Sequence, residues 1–228
     1  MATKEEKMAF LSLSLDDKIK RTKMLIMDWY AQFDGNVYVS FSGGKDSTVL
    51  LHIARQLYPD IVGECDDTGL EYPEIRDFVK KQDNIIWIKP KLTFKEVIEK
   101  YGYPIISKEQ SRNIFEIKTT KSQKLLKKRL GENLGSLPKK WRPLLEADFK
   151  ISNKCCYALK KSPLGSFERK TGMKPILGIM ADESIQRMKV YLYGECNSFN
   201  SKRPESKPLF FWNEQDILQY IKREHLEI

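Results

Sequence analysis

The chain has 228 residues, 31% of them charged and 41% hydrophobic, with a formal net charge of +9 and only four cysteines. This length allows one large domain or a domain with an appendage, and no apolar run is long enough to span a membrane. Four irregularly spaced cysteines exclude a disulfide framework and point instead to metal or redox use. The N-terminus, Met1-Ala-Thr-Lys-Glu-Glu, lacks the apolar stretch of a signal peptide, so a cytoplasmic setting is expected.

In chain order, Ser14 is placed to cap a helix over 15–33, with Asp17 three residues on as its capping partner. Ile19, Thr22, Leu25, Ile26, Trp29, Tyr30 and Phe33 form its apolar stripe. Asp34-Gly35-Asn36 ends the helix and turns into a strand over 37–41. Residues 1–35 are thus expected as an N-terminal helical segment, and 36–228 as the main α/β domain.

Ser42-Gly43-Gly44-Lys45-Asp46-Ser47 follows that strand. From Asp46 on, Val49, Leu50, Ile53 and Leu57 show helical spacing. Strand, glycine turn and helix start make an anion cradle: glycines let backbone N–H groups close on a phosphate, the helix N-terminus adds partial positive charge, and Lys45 adds a full one. A Walker A loop is excluded, because Val39 stands where its first glycine belongs and Asp46 follows the lysine where Ser or Thr is needed. The six residues resemble the PP-loop of the ATP pyrophosphatases and of the phosphoadenosine phosphosulfate (PAPS) reductases.

A second strand is predicted over 61–64 and runs into Cys65-Asp66-Asp67-Thr68-Gly69. Tyr72-Pro73-Glu74 then opens a helix. Asp67, Thr68 and Gly69 stand at the C-terminal end of a strand, where open parallel sheets bind ligands. The Asp-Thr-Gly and Tyr-Pro-Glu pair is similar to the second signature of the PAPS reductase family, where it lies beside the nucleotide. Cys65 reads as a small buried hydrophobe. A third strand over 85–88 and a helix over 94–101 continue the alternation, which predicts a doubly wound, mainly parallel α/β sheet. The resemblance implies the adenine nucleotide alpha hydrolase-like version of that fold.

Gly102-Tyr-Pro and the Ser-Lys-x-x-Ser-Arg run ending at Arg112 resemble bacterial and phage members of the family. Lys108 and Arg112 are one helical turn apart and could hold a phosphate or sulfate. Residues 107–170 hold 17 Lys and Arg against 6 Asp and Glu, so the charge is localised. Such a segment fits a polyanion or nucleic acid, or a solvated basic face. Within it, a basic helix over 121–129, a loop over 131–135 and a rigid turn over 138–143 are expected as a helical insertion near 107–150.

Adjacent Cys155 and Cys156, with Lys154, Lys160 and Lys161 close by, suit thiolate chemistry or metal binding. The Cys-Cys-x3-Lys-Lys-x-Pro-Leu pattern resembles the iron–sulfur and substrate segment of adenylylsulfate (APS) reductases. There a second cysteine pair completes a [4Fe–4S] cluster. Here only Cys196 lies downstream, so Cys155, Cys156 and Cys196 supply three ligands, with Cys65, a non-cysteine group or residues beyond Ile228 as the fourth, or zinc in place of the cluster.

A core strand is predicted over 175–179, and a helix starting at Asp182-Glu183-Ser184 with acids at its positive end. Gly178, Glu183-Ser184 and Arg187 resemble the family's substrate-binding turn, with Met180 where many members carry Arg. Arg187 is the expected anion contact, and Arg203 a weaker one. Asn213 caps a final helix with Asp216 in its first turn, in a Pro-Leu-x-x-Trp-x-x-x-Asp-Ile pattern the family shares. Members usually continue further, so a truncated or missing tail is expected after Ile228, and with it the nucleophilic cysteine that reductases carry there.

The resemblance covers about residues 20–228. It implies an enzyme binding an adenine nucleotide, either PAPS or APS or else ATP with Mg, through residues 42–47, Asp67, Thr68 and Gly69. Lys45, Asp46, Cys155 and Cys156 are the expected catalytic groups; Lys108, Arg112, Lys160, Lys161 and Arg187 are the expected anion contacts. The chemistry implied is sulfonucleotide reduction with a thiol reductant, or sulfur transfer. The alternatives are ATP-driven activation of a nucleic acid for sulfur insertion, with the basic segment holding the polymer, and a nucleotide-binding module without turnover.

Overall fold

The computed structural model describes residues 2–228, which divide into two compact units. The first comprises residues 2–66, 71–88 and 167–228, and the second residues 67–70 and 89–166.

The first unit is built on a six-stranded sheet in the order β3-β2-β1-β4-β6-β5. Its strands are β1 (Val37–Ser40), β2 (Val62–Asp66), β3 (Ile85–Ile88), β4 (Lys174–Leu177), β5 (Asn197–Ser198) and β6 (Glu205–Ser206). All neighbours run parallel except β5 against β6. Tyr38 of β1 pairs with Val62 on one side and Pro175 on the other. The chain moves from β1 outward to β2 and β3, then returns to the other side of β1 as β4. The strand order therefore reverses between β1 and β4, and such a switch point is where open α/β sheets bind ligands.

Around the sheet lie α1 (Lys4–Leu11), α2 (Leu15–Gln32), α3 (Lys45–Leu57), α4 (Pro73–Lys80), α9 (Ile185–Tyr193) and α10 (Glu214–Glu224). Helix α2 starts as its sequence predicts, with Ser14 accepting a hydrogen bond from the Asp17 N–H. Its stripe enters the core at Ile26 and Trp29. Thr22 is buried on that stripe because both of its hydroxyl roles are filled: it donates to the Pro208 carbonyl (3.0 Å) and accepts from Trp212 Nε1 (2.9 Å). Helix α1 was not foreseen, although Thr3 and Glu6 form a capping box around its first turn.

The second unit carries α5 (Phe94–Tyr101), α6 (Lys108–Thr119), α7 (Gln123–Leu130) and a 3₁₀ helix over Lys139–Glu146. Ile114, Leu137 and Ile151 form its small core. The basic segment is therefore folded around apolar residues of its own. Arg129 is buried there, donating to Glu116 (2.6 Å) and to the Gly135 carbonyl (2.7 Å), so this arginine serves the fold. Cys155 and Cys156 lead into a π-helical turn at Tyr157–Lys161, followed by α8 (Ser162–Thr171), which spans the boundary between the two units. No helix among the described residues is long and apolar enough to cross a membrane.

Candidate functional site

The turn between β1 and α3 is shaped by one glycine. Gly43 has φ +74°, and a Cβ there would stand 2.8 Å from Ile75 Cγ2 and Val79 Cγ2. Only glycine meets both constraints. Gly44 then caps α3 with no side-chain hydrogen bond, so the orphan N–H groups of the first turn have no internal acceptor from the cap. Ser47 braces the loop: its Oγ accepts from the Ser42 N–H (3.2 Å) and donates to the Gly44 carbonyl (2.9 Å). The Thr48 hydroxyl donates to the same carbonyl at 3.0 Å.

The loop after β4 packs directly against this turn. A Cβ on Gly178 would lie 3.3 Å from the Asp46 carbonyl and from Ser47 Cα. The two loops that leave the switch point thus meet at the start of α3, and a bulkier residue at 178 would push on the cradle.

Charge is concentrated here. Lys45 Nζ lies 3.6 Å from Asp46 Oδ1 and 3.4 Å from Glu214 Oε1. Asp46, with Glu214 after it, raises the Lys45 pKa, so the ammonium is charged at neutral pH. Asp46 is half-buried, and its Oδ1 has no hydrogen-bond partner. Burial pushes its carboxyl upward; Lys45 opposes that, while Glu183 and Glu214 add to it. Glu214, 169 positions after Lys45, is a member of this cluster that no local pattern announces.

The turn at 181–187 differs from the expected helix start. Ala181–Glu183 form a 3₁₀ turn, and α9 begins at Ile185 with Ser184 as its cap, accepting from the Arg187 N–H (3.2 Å). Glu183 therefore precedes the helix. It accepts from the Met180 N–H (3.0 Å) and is ion-paired with Arg187. The expected anion contact at Arg187 already has a carboxylate partner. Arg203 is held by Glu168 through two hydrogen bonds of 2.7 and 3.1 Å, which turns it to structural use.

In the second unit, Asp67 and Thr68 are buried. Lys89 Nζ is 3.9 Å from Asp67 Oδ2, and Thr68 Oγ1 accepts from the Leu70 N–H (3.3 Å). Gly69 has φ +78° with open space where a Cβ would stand. Lys108 and Arg112 have separate partners. Lys108 Nζ donates to Cys156 Sγ at 3.7 Å, while Arg112 Nη2 is 3.8 Å from Glu109. Arg112 Nε is buried without a hydrogen-bond partner. Lys160 and Lys161 are exposed on the π-helical turn.

The family profile described as "Phosphoadenosine phosphosulfate reductase domain" matches residues 36–228, from the start of β1 through α10. The chain belongs to this PAPS reductase family. Among curated relatives, an adenosine 5'-phosphosulfate reductase of Geobacillus kaustophilus is 26% identical over 98% of this chain and 77% of its own length. That of Staphylococcus haemolyticus is 25% identical over 94% of this chain and 72% of its own. An uncharacterized protein of Methanocaldococcus jannaschii is 35% identical over 97 residues, 39% of this chain; the match spans only 23% of that protein. The crystal structure of a phosphoadenylyl-sulfate reductase from Candida auris, a phosphate complex, superposes with a TM-score of 0.51 over 94% of this chain and 89% of its own, at 15% identity. The shared fold is the adenine nucleotide alpha hydrolase-like sheet expected from the sequence.

The iron–sulfur cluster that some PAPS reductase family segments imply does not fit the cysteines present. Among the described residues, no three His, Cys, Asp or Glu side chains come together as a metal site. Burial pushes the Cys196 thiol up to about 11, with Arg21, Lys7 and Lys207 opposing, so it is a neutral thiol at pH 7 and not a ready thiolate ligand. Cys65 is buried in the main core, as expected of a small hydrophobe.

Proposed function

We propose that this PAPS reductase family chain binds an adenine nucleotide with residues 42–47 on its phosphate or sulfate oxygens, and acts in sulfonucleotide reduction or sulfur transfer. The observation that carries this reading is the start of α3, without a side-chain cap and reached through a turn only glycine can make, at the switch point between β1 and β4. Backbone N–H groups, the helix dipole and Lys45 converge there on one anion. Asp67, Thr68 and Gly69 are proposed to border the nucleotide. Lys108, Arg112, Lys160, Lys161 and Arg187 are proposed contacts for further anionic groups, Arg187 by exchanging Glu183 for the ligand. A magnesium ion arriving with ATP would take its ligands chiefly from the phosphates and water.

In a reduction, a thiolate attacks the sulfonate sulfur, the bond from sulfur to the nucleotide's phosphate oxygen breaks, and the nucleotide leaves. A second thiol cleaves the resulting thiosulfonate to sulfite and becomes half of a disulfide, so the two electrons come from a thiol reductant. Of the four thiols here, Cys65 is buried and Cys196 is held neutral. Cys155 and Cys156 are the proposed thiolates within these residues, with the Lys108 ammonium beside the Cys156 sulfur. Lys45 would steady the oxyanion that departs.

A second reading, ATP-driven activation of a nucleic acid, is favoured by the exposed lysines 121, 124, 127 and 128 on and before α7. The test is one panel on one preparation: calorimetry with ATP, APS and PAPS, and assays for sulfite and pyrophosphate. Lys45→Ala is expected to weaken nucleotide binding about tenfold or more, the worth of a charge-assisted contact. Equal affinity in mutant and wild type sinks the cradle. Sulfite release with a thiol reductant, lost in Cys155→Ser or Cys156→Ser, supports reduction. Pyrophosphate release stimulated by nucleic acid, with binding that weakens as salt rises, replaces it with the second reading.

A further inference from the structure

A cavity of about 270 Å³ opens in the first unit between α1, α2, the end of α9 and β5. Its walls include Lys7, Phe10, Arg21, Leu25, Cys196 and Phe199, none of them part of the phosphate cradle. Arg21 is the notable group. Its guanidinium carbon lies 3.6 Å from the centroid of the Phe10 ring, stacked on an aromatic face. Its Nε is buried with no hydrogen-bond partner. Asp28 and Glu195 also line the cavity, yet among the described residues no ion pair joins either of them to Arg21 or Lys7. Lys7 is buried and committed to two backbone carbonyls, Leu192 at 3.3 Å and Gly194 at 2.5 Å. Asn197 is likewise spent, donating to the Leu25 carbonyl and accepting from Ser206.

A guanidinium over an aromatic face keeps its N–H donors in its own plane, clear of the ring, where they match a carboxylate bidentately. Among the described residues Arg21 has no carboxylate partner, and this cation on a wall shared with Phe10, Leu25 and Phe199 is what a small amphipathic anion would fill. Pockets of a few hundred Å³ with a few convergent polar groups are the usual form of small-molecule sites. We propose that this cavity is an accessory binding site for a small carboxylate with an aromatic or short aliphatic body, its carboxylate on Arg21 and its body against Phe10, Leu25 and Phe199.

The probe is benzoate, with benzyl alcohol as its uncharged counterpart, read by amide and arginine Nε–H chemical shifts on the whole chain. Benzoate is expected to shift Lys7, Arg21, Cys196 and Asn197 saturably, and benzyl alcohol to bind at least tenfold more weakly. Arg21→Gln is expected to lose benzoate affinity by tenfold or more while ATP binding is unchanged, and saturating ATP is expected to leave the benzoate affinity as it was. Equal binding of benzyl alcohol, no shift at these residues, or displacement of benzoate by ATP overturns the proposal; the last outcome would assign the probe to the phosphate cradle. If Arg21→Gln does not fold, the comparison of the two probes on the wild type decides alone.

Discussion

The carboxyl of Asp46 is half-buried, its Oδ1 lacks a hydrogen-bond partner, and Glu183 and Glu214 stand near enough to disfavour its charge. Its pKa is raised in the folded state, first by burial. An acid with a raised folded pKa favours folding most when it is protonated. Its contribution is full below the unfolded value of about 4 and is lost as pH rises through the folded value. At pH 7 the ligand-free protein therefore bears the cost of an ionised, poorly solvated carboxylate. Asp46→Asn should unfold at higher urea than wild type at pH 7, and the gap should close as the pH is taken to 4 and below. A variant less stable than wild type at pH 7 would show that the Lys45 contact at 3.6 Å outweighs desolvation. The sequence marked Asp46 by its place after Lys45, but the carboxylates facing it come from residues far along the chain.

The unit of β1, turn and α3 depends on Gly43 in two independent ways, through its positive φ and through the close approach of Ile75 and Val79 on α4. Alanine in a left-handed conformation costs about 1–2 kcal/mol from backbone sterics alone. The clash with two side chains adds to that, and relief of the clash would move the very N–H groups proposed to meet the phosphate. Gly43→Ala should lower stability by about 2 kcal/mol or more and weaken ATP binding. Gly69→Ala, at φ +78° with open space around its Cβ, should cost only the backbone part. Equal losses at the two sites in parallel urea titrations would remove the packing argument. These elements were legible because a strand, a glycine pair and a helical apolar stripe succeed one another within about twenty residues. The start of α9 was misplaced by the same kind of reasoning: Asp182 and Glu183 look like first-turn acids, but Glu183 is spent on the Met180 N–H and Arg187.

Helices from the two ends of the chain are joined inside the first unit by Lys18 and Asp216. Lys18 Nζ donates to Asp216 Oδ2 at 2.6 Å with both side chains largely out of water. The same oxygen accepts from the Asn213 N–H at 2.8 Å, so the ion pair and the cap of α10 share one atom. Removing one partner leaves the other charge buried, a loss of about 3–5 kcal/mol. Lys18→Met should lower the unfolding free energy by about that amount, and Asp216→Asn in the same chain should recover part of it. A loss under about 1 kcal/mol in Lys18→Met would mean that Asp216 is satisfied by its cap alone.

From sequence alone, the six residues at 42–47, the strands at 37–41 and 85–88, the helix over 94–101 and the caps at Ser14 and Asn213 could all be placed. Each is set by neighbours within a few positions: glycine's access to positive φ, a side-chain acceptor beside a free N–H, a period of two or 3.6 in apolar residues. Tertiary structure alone decided which charged groups meet. Glu214 against Lys45, Glu183 against Arg187, Lys108 against Cys156 and Asp216 against Lys18 are pairings that depend on how elements pack. It also separated the basic residues by role, because Arg129 is buried on Glu116 while Lys124, Lys127 and Lys128 face water. Charge and residue type are properties of the sequence. Burial, and with it the cost of an ionised group and the unpartnered Nε of Arg21, exists only once the chain has folded around it.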